Sequence, residues 1–127
     1  MTILNIETST TCCSAAITID GQSVVSVENL NNANHASELP RFIEQLLATA
    51  KHNDWHLDAV ALSQGPGSYT GLRIGASTAK GICYGLNIPL IPIDTLQVLC
   101  ASVPADRLPE NALLCPMLDA RRMEVYT

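Results

Sequence analysis

Three observations predict an α/β fold built on a mixed sheet with packed helices. Three short apolar-alternating segments open the chain and are joined by tight turns. Beyond them, apolar runs of strand length alternate with segments of helical length and periodicity. Of 127 residues, 47% are hydrophobic and only 4% aromatic, enough for one aliphatic core.

Ile3–Glu7 is apolar and ends in an acid, and Thr8-Ser9-Thr10-Thr11 is a small polar turn. Cys13–Asp20 resumes as a strand, Asp20-Gly21 is a strong hairpin signal, and Gln22–Glu28 alternates as a third strand. Three antiparallel strands therefore lead. Asn29 to Asn34 is a polar connector rich in N-cap candidates. From Ser37 to Lys51, Leu39, Phe42, Ile43, Leu46, Leu47 and Ala50 form one apolar stripe at helical spacing. Pro40 is expected in the first turn of that helix, where its missing N–H is harmless. Strand Ala59–Leu62 follows, then helix Leu72–Tyr84 with Gly85 as its C-cap. Leu90–Ile93 reads as a strand, and Asp94 with Gln97 as a capping box for a short helix through Ser102. Val103–Asn111 is a linker. Leu113–Asp119 is a further apolar run ending in an acid, Ala120-Arg121-Arg122 a turn, and Met123–Tyr126 a strand. This last unit echoes the first. It divides the chain into a subdomain at 1–108 and the start of a second, similar one at 109–127, with the remainder expected to be absent.

The glycine loop between the fourth strand and second helix carries the most chemistry. Gly65, Pro66, Gly67, Ser68, Thr70, Gly71 and Arg73 place backbone N–H groups and hydroxyls at a helix N-terminus, where an anion or a partner's backbone can approach. It is not a P-loop, since no Lys-Ser or Lys-Thr pair follows the glycines. It is not a dinucleotide fingerprint, because Thr70 takes the last glycine position. Nor is it a nucleophile elbow, because Pro66 and Thr70 flank Ser68 where glycines belong.

A formal charge of −5 argues against a surface that clamps nucleic acid by itself. No apolar run is long enough to span a bilayer, and no basic-then-apolar leader precedes the first strand. The five cysteines include no C-x-x-C pair and read as buried, reduced thiols in a cytoplasmic protein. His52 and His56 have metal-like spacing but sit in a helix-ending connector, which favours a structural role. His35 reads likewise as a capping or loop residue. No metal site is expected.

The second helix carries Gly71, Gly75 and Ala79 on one row and Ser77, Gly81 and Gly85 on another. Each glycine costs a helix roughly 1 kcal/mol relative to alanine, so close approach of other backbone must compensate. One row would serve the chain's own sheet; two suggest a second helix from another chain. Internal packing alone is the alternative reading.

Strand–acid–hairpin, helices with intervening strands and a repeated second half resemble the actin-like ATPase (ribonuclease H-like) layout. Within it, Leu4-Asn5-Ile6-Glu7-Thr8-Ser9, Gly65-Pro66-Gly67-Ser68-Tyr69-Thr70-Gly71-Leu72-Arg73-Ile74-Gly75 and Asp119-Ala120-Arg121-Arg122-Met123-Glu124-Val125-Tyr126 resemble the TsaB (YeaZ) family. The resemblance implies a non-catalytic subunit supporting a TsaD-type transferase that forms N6-threonylcarbamoyladenosine at position 37 of tRNAs. The catalytic sister carries a His-x-x-x-His metal pair where this chain has Thr95 and Leu99, and neither residue can hold a divalent ion usefully. No catalytic residue is therefore expected. The family also implies that the first two helices pair with those of the sister or of a second copy. Here they would do so through Leu39, Phe42, Leu46, Gly71, Gly75 and Ala79. A leucine at Gly75 is then expected to block association without unfolding the domain. Glu7, Thr8 and Asp119 resemble the superfamily's nucleotide site, but no glycine follows Glu7 to let backbone hug phosphate. The site reads as vestigial, with ATP or ADP bound only in the complex. Partners implied are the TsaD-type paralogue, a TsaE-type ATPase through the complex, a homodimer, and tRNA only indirectly, with no membrane.

Two other functions compete on the residues alone. One is a nucleotide-binding ATPase or glycoprotease-like hydrolase using Ser68, Thr70 and Glu7 around the loop. The other is an RNA-binding module using Arg73, Arg121 and Arg122.

Overall fold

The computed structural model describes residues 1–31 and 34–127. Part of the predicted 29–34 connector, positions 32 and 33, lies outside the described residues. The order is β1 (Thr2–Glu7), β2 (Cys13–Ile19), β3 (Gln22–Asn29), α1 (His35–His52), β4 (Ala59–Gly65), α2 (Tyr69–Leu86), β5 (Leu90–Asp94), α3 (Thr95–Ala101), a 3₁₀ turn (Ala105–Arg107), β6 (Leu118–Arg121) and β7 (Glu124–Tyr126).

β1 to β5 form one sheet in the order β3-β2-β1-β4-β5. The β1–β2 and β2–β3 pairs are antiparallel, whereas β1–β4 and β4–β5 are parallel, as two helical crossovers require. The predicted mixed α/β sheet, with three antiparallel strands leading, is what the chain adopts. Asp20 and Gly21 both take positive φ in the β2–β3 turn, as a two-residue hairpin demands. A bulge at Ile17/Thr18 lies just before the turn, in β2. The amino terminus joins this corner, its ammonium pairing with Asp20 while Asp58 accepts from Thr2 N at 2.7 Å.

The core lies between one face of the sheet and the two long helices. Leu4, Ile6, Ala15, Ile17, Val60 and Leu62 meet Leu39, Phe42, Ile43, Leu46 and Ala50 of α1 and Ala79 of α2. This is the predicted α1 stripe, with Leu47 packed at its edge. α1 starts earlier than its apolar stripe because Asn34 caps it, its Oδ1 accepting from Ala36 N at 3.2 Å. That early start puts Pro40 inside the helix and not in its first turn. The proline removes the donor that the Ala36 carbonyl would use, and Ala36 is exposed, so water can serve instead.

α2 also exceeds its predicted length, from Tyr69 to Leu86. Gly85 is internal, and the left-handed C-cap is Asn87 at φ 54°. Asp94 caps α3 as predicted, with Oδ1 accepting from Leu96 N at 2.8 Å and Gln97 N at 3.2 Å. The predicted strand over Leu113–Asp119 begins only at Leu118, and Leu113 is fully exposed. β6 and β7 form their own two-stranded sheet, in which Arg121 pairs with Glu124 across a turn at Arg122-Met123. The predicted turn lay one residue earlier. Both turn residues take positive φ without the Asn-Gly chemistry that announces such turns.

The cysteines divide by environment. Cys13 is buried, and burial, reinforced by Glu38, pushes its thiol up to about 11. Cys83 is also raised, by burial. Cys12, Cys83 and Cys100 are half-buried and Cys115 is exposed, so the expectation of buried thiols holds fully for Cys13 alone.

Candidate functional site

The glycine loop, the β1–β2 turn and the start of α2 form one knot. β1 stops because the Glu7 side chain turns back on its own strand end, Oε1 accepting from Ser9 N at 2.6 Å. Its other oxygen, Oε2, accepts from Ser63 Oγ at the end of β4. Thr8 and Ser9 are thereby held under the start of α2, and both are buried. Ser68 N donates to Ser9 O at 2.6 Å, and Ser68 caps α2, its Oγ accepting from Gly71 N at 3.3 Å.

Close packing explains the glycines. A Cβ at Gly67 would press on Ser9, one at Gly71 would collide with the Thr8 carbonyl, and one at Gly75 with Thr8 Oγ1 and Leu62. The row Gly71, Gly75 and Ala79 is therefore buried within the chain. Leu39 and Leu46 are completely buried, and Phe42 nearly so. All six residues predicted for an interface with another chain are therefore buried within this one, which leaves them no exposed side chain to offer a partner. The same geometry argues against the expectation that leucine at Gly75 would leave the domain folded, because its side chain must displace Thr8 and Leu62. The other row is open: nothing lies within 4 Å of a Cβ at Gly81 or Gly85. Between them Tyr84 is 92% exposed, with Leu86 exposed beyond.

On the outer side of the knot lies an open cleft of about 690 Å³, walled by Ser9, Thr10, Thr11, Gly67, Ser68 and Thr70 and closed opposite by Asp119, Arg121 and Tyr126 of the β6–β7 hairpin. Tyr69 and Thr70 begin α2, and an α-helix leaves their N–H groups without an intrahelical acceptor. Hydroxyls, a helix N-terminus and Arg121 make a donor set that fits an anion such as a phosphate. The acids do not complete a cation-bridged nucleotide site. Asp119 lines the cleft, its Oδ1 accepting from Arg121 N at 2.7 Å. Glu7 instead lines a depression on the sheet face with Ser14 and Ser63, and Thr8 lies beneath α2. The structure thus separates the three predicted nucleotide-site residues. Among the described residues no group of three His, Cys, Asp or Glu side chains could hold a metal ion.

The remaining candidates scatter. Arg73 is exposed, its guanidinium 5.4 Å over the Tyr69 ring, away from Arg121 and Arg122 in chain and element. His35 opens α1, its Nε2 3.1 Å from Cys12 O, and also borders the cleft. His52 ends α1 and His56 follows in the connector, both exposed. Thr95 is buried at the start of α3, with Leu99 exposed one turn on. Sequence reasoning missed Ser63 as Glu7's partner, although its place at the end of β4 beside β1 was the available signal. It also missed Asn87 and Tyr84. No helix among the described residues is long and apolar enough to cross a membrane.

Comparison with known proteins fits this architecture. The TsaD family model, described as tRNA N6-adenosine threonylcarbamoyltransferase, matches residues 27–127. The tRNA threonylcarbamoyladenosine biosynthesis protein TsaB of Haemophilus influenzae is 33% identical over 126 residues, which cover 99% of this chain and 52% of that protein. Among solved structures, YeaZ from Pseudomonas aeruginosa superimposes with a TM-score of 0.66 at 28% identity, covering 78% of this chain and 47% of that one. RuvC from Thermus thermophilus shares the fold alone, with a TM-score of 0.51 and 11% identity over 84% of this chain and 74% of its own. The chain spans about half the length of the curated relatives it matches.

Proposed function

Because the chain belongs to the TsaB/YeaZ branch of the threonylcarbamoyltransferase family, we propose that it acts in tRNA threonylcarbamoyladenosine synthesis as a non-catalytic subunit bound to a TsaD-type transferase. The observation that carries this reading is the open face of α2. Helix interiors rarely keep glycines that pack against nothing, because each costs roughly 1 kcal/mol. Gly81 and Gly85, with Tyr84 and Leu86, make a smooth, partly apolar strip suited to the backbone of another helix. The residue types at Thr95 and Leu99 support the same reading, since neither can replace an imidazole on a metal. A TsaE-type ATPase and tRNA would meet the chain through the complex. A nucleotide, if held at the cleft, would depend on groups the partner supplies. A homodimer through the same strip is the form this reading allows for the chain alone.

The test is co-purification with a TsaD-type subunit. Gly81→Leu is expected to lower recovery of the complex at least tenfold while leaving the melting temperature of the isolated chain unchanged or higher. Undiminished recovery would remove the α2 strip from the interface. Modification of tRNA by the chain alone would overturn the non-catalytic assignment.

A further inference from the structure

We infer that Glu7 is a positioning residue, which fixes the first turn of α2 from beneath and does not reach a ligand in the cleft. Both carboxylate oxygens are occupied from within the chain, one by Ser9 N at 2.6 Å and the other by Ser63 Oγ. The Ser9 carbonyl then accepts from Ser68 N at 2.6 Å, and Ser68 is the residue that caps α2. Three bonds in series therefore join the end of β4, through the Glu7 side chain and the Thr8–Ser9 turn, to the helix start that walls the cleft. Gly67 and Gly71 close over the same turn without room for a methyl group, so a shift of Ser9 must move α2 or open the packing. Glu7 borders the depression on the sheet face while the cleft lies on the far side of the turn. A phosphate in the cleft would meet the hydroxyls and N–H groups of the loop, and a cation would meet Asp119, not the Glu7 carboxylate.

The inference is independent of the partner proposed above, and its test uses the chain alone. Amide hydrogen exchange is measured by NMR on the wild type, Glu7→Ala and Glu7→Gln. Alanine is expected to accelerate exchange at Ser9 and Ser68 at least tenfold, with Val25 and Val27 in β3 unchanged. Glutamine keeps an acceptor for Ser9 N and should restore protection to within about threefold of wild type. Should Glu7→Ala fail to fold, Ser63→Ala removes one arm of the clasp and is expected to raise exchange at Ser9 and Ser68 about threefold. A magnesium chloride titration supplies the opposing readout. Amide shifts at Ser9 that respond to Mg²⁺ in the wild type and lose that response in Glu7→Gln would make Glu7 a cation ligand and overturn the inference. So would exchange at Ser68 that ignores both the alanine variant and Ser63→Ala.

Discussion

Gly71 and Gly75 lie in the first half of α2, pressed onto Thr8, whereas Gly81 and Gly85 lie in its second half with nothing within 4 Å of where a side chain would begin. One pair is glycine because the chain's own backbone approaches too closely for a Cβ. The other pair has no such reason inside the molecule, and its cost to the helix is uncompensated by anything described. The contrast teaches that four-residue spacing of small residues marks close approach without saying whose backbone approaches. Packing against Thr8 answers the question for one pair, and the proposed partner is the answer offered for the other.

Substitutions should separate the two pairs by sign as well as size. Gly75→Leu is expected to have the largest effect, losing about 4 kcal/mol or more, because the side chain must displace Thr8 and Leu62 in a filled core. Urea denaturation would measure it, and a loss under about 1 kcal/mol would break the comparison. Gly71→Ala should cost about 2–3 kcal/mol, since a backbone carbonyl is the obstacle and cannot turn aside. Gly75→Ala should cost less when combined with Thr8→Ala, which removes the hydroxyl in its way. A coupling of about 1 kcal/mol in that double-mutant cycle would locate the strain at this contact. On the open half, Gly81→Ala and Gly85→Ala should each stabilise the chain by about 0.5–1 kcal/mol. Destabilisation there would mean the surface is already covered from within.

A separate effect, confined to high pH, sharpens the picture of the core beside α1. Burial lifts the Cys13 thiol from 9.0 to about 11, so the folded chain keeps its proton where the unfolded chain has lost it. Stability is expected to be intact below pH 9 and to fall by about 1–2 kcal/mol as the pH rises toward 11. The urea midpoint as a function of pH should show this decline in the wild type. It should flatten in Cys13→Val.

Much of this architecture could be read from local chemistry. Asp20-Gly21 between alternating strands marks its hairpin, the Leu39–Ala50 stripe marks the buried face of α1, and Asp94 marks the start of α3. Helix limits were less legible, because α1 and α2 extend past their apolar residues on the strength of Asn34, Ser68 and Asn87, polar caps that periodicity does not register. The turn at Arg122-Met123 escaped for a related reason, since neither residue is one that ordinarily adopts left-handed backbone. The candidate site was legible as a loop but not as an arrangement. Glu7, Thr8 and Asp119 are placed by pairings that only the folded sheet and hairpin create, which set Glu7 at the sheet face, Thr8 buried beneath α2 and Asp119 in the cleft wall.

The carbonyl of Thr8 beneath Gly71 has a consequence for heredity. A library randomised at codons 71 and 75 and selected for folding should come back almost monochrome, while codons 81 and 85 should return most of the alphabet. Under the proposed partnership, adding a demand for survival that relies on threonylcarbamoylated tRNA should then narrow the second pair and leave the first as it was.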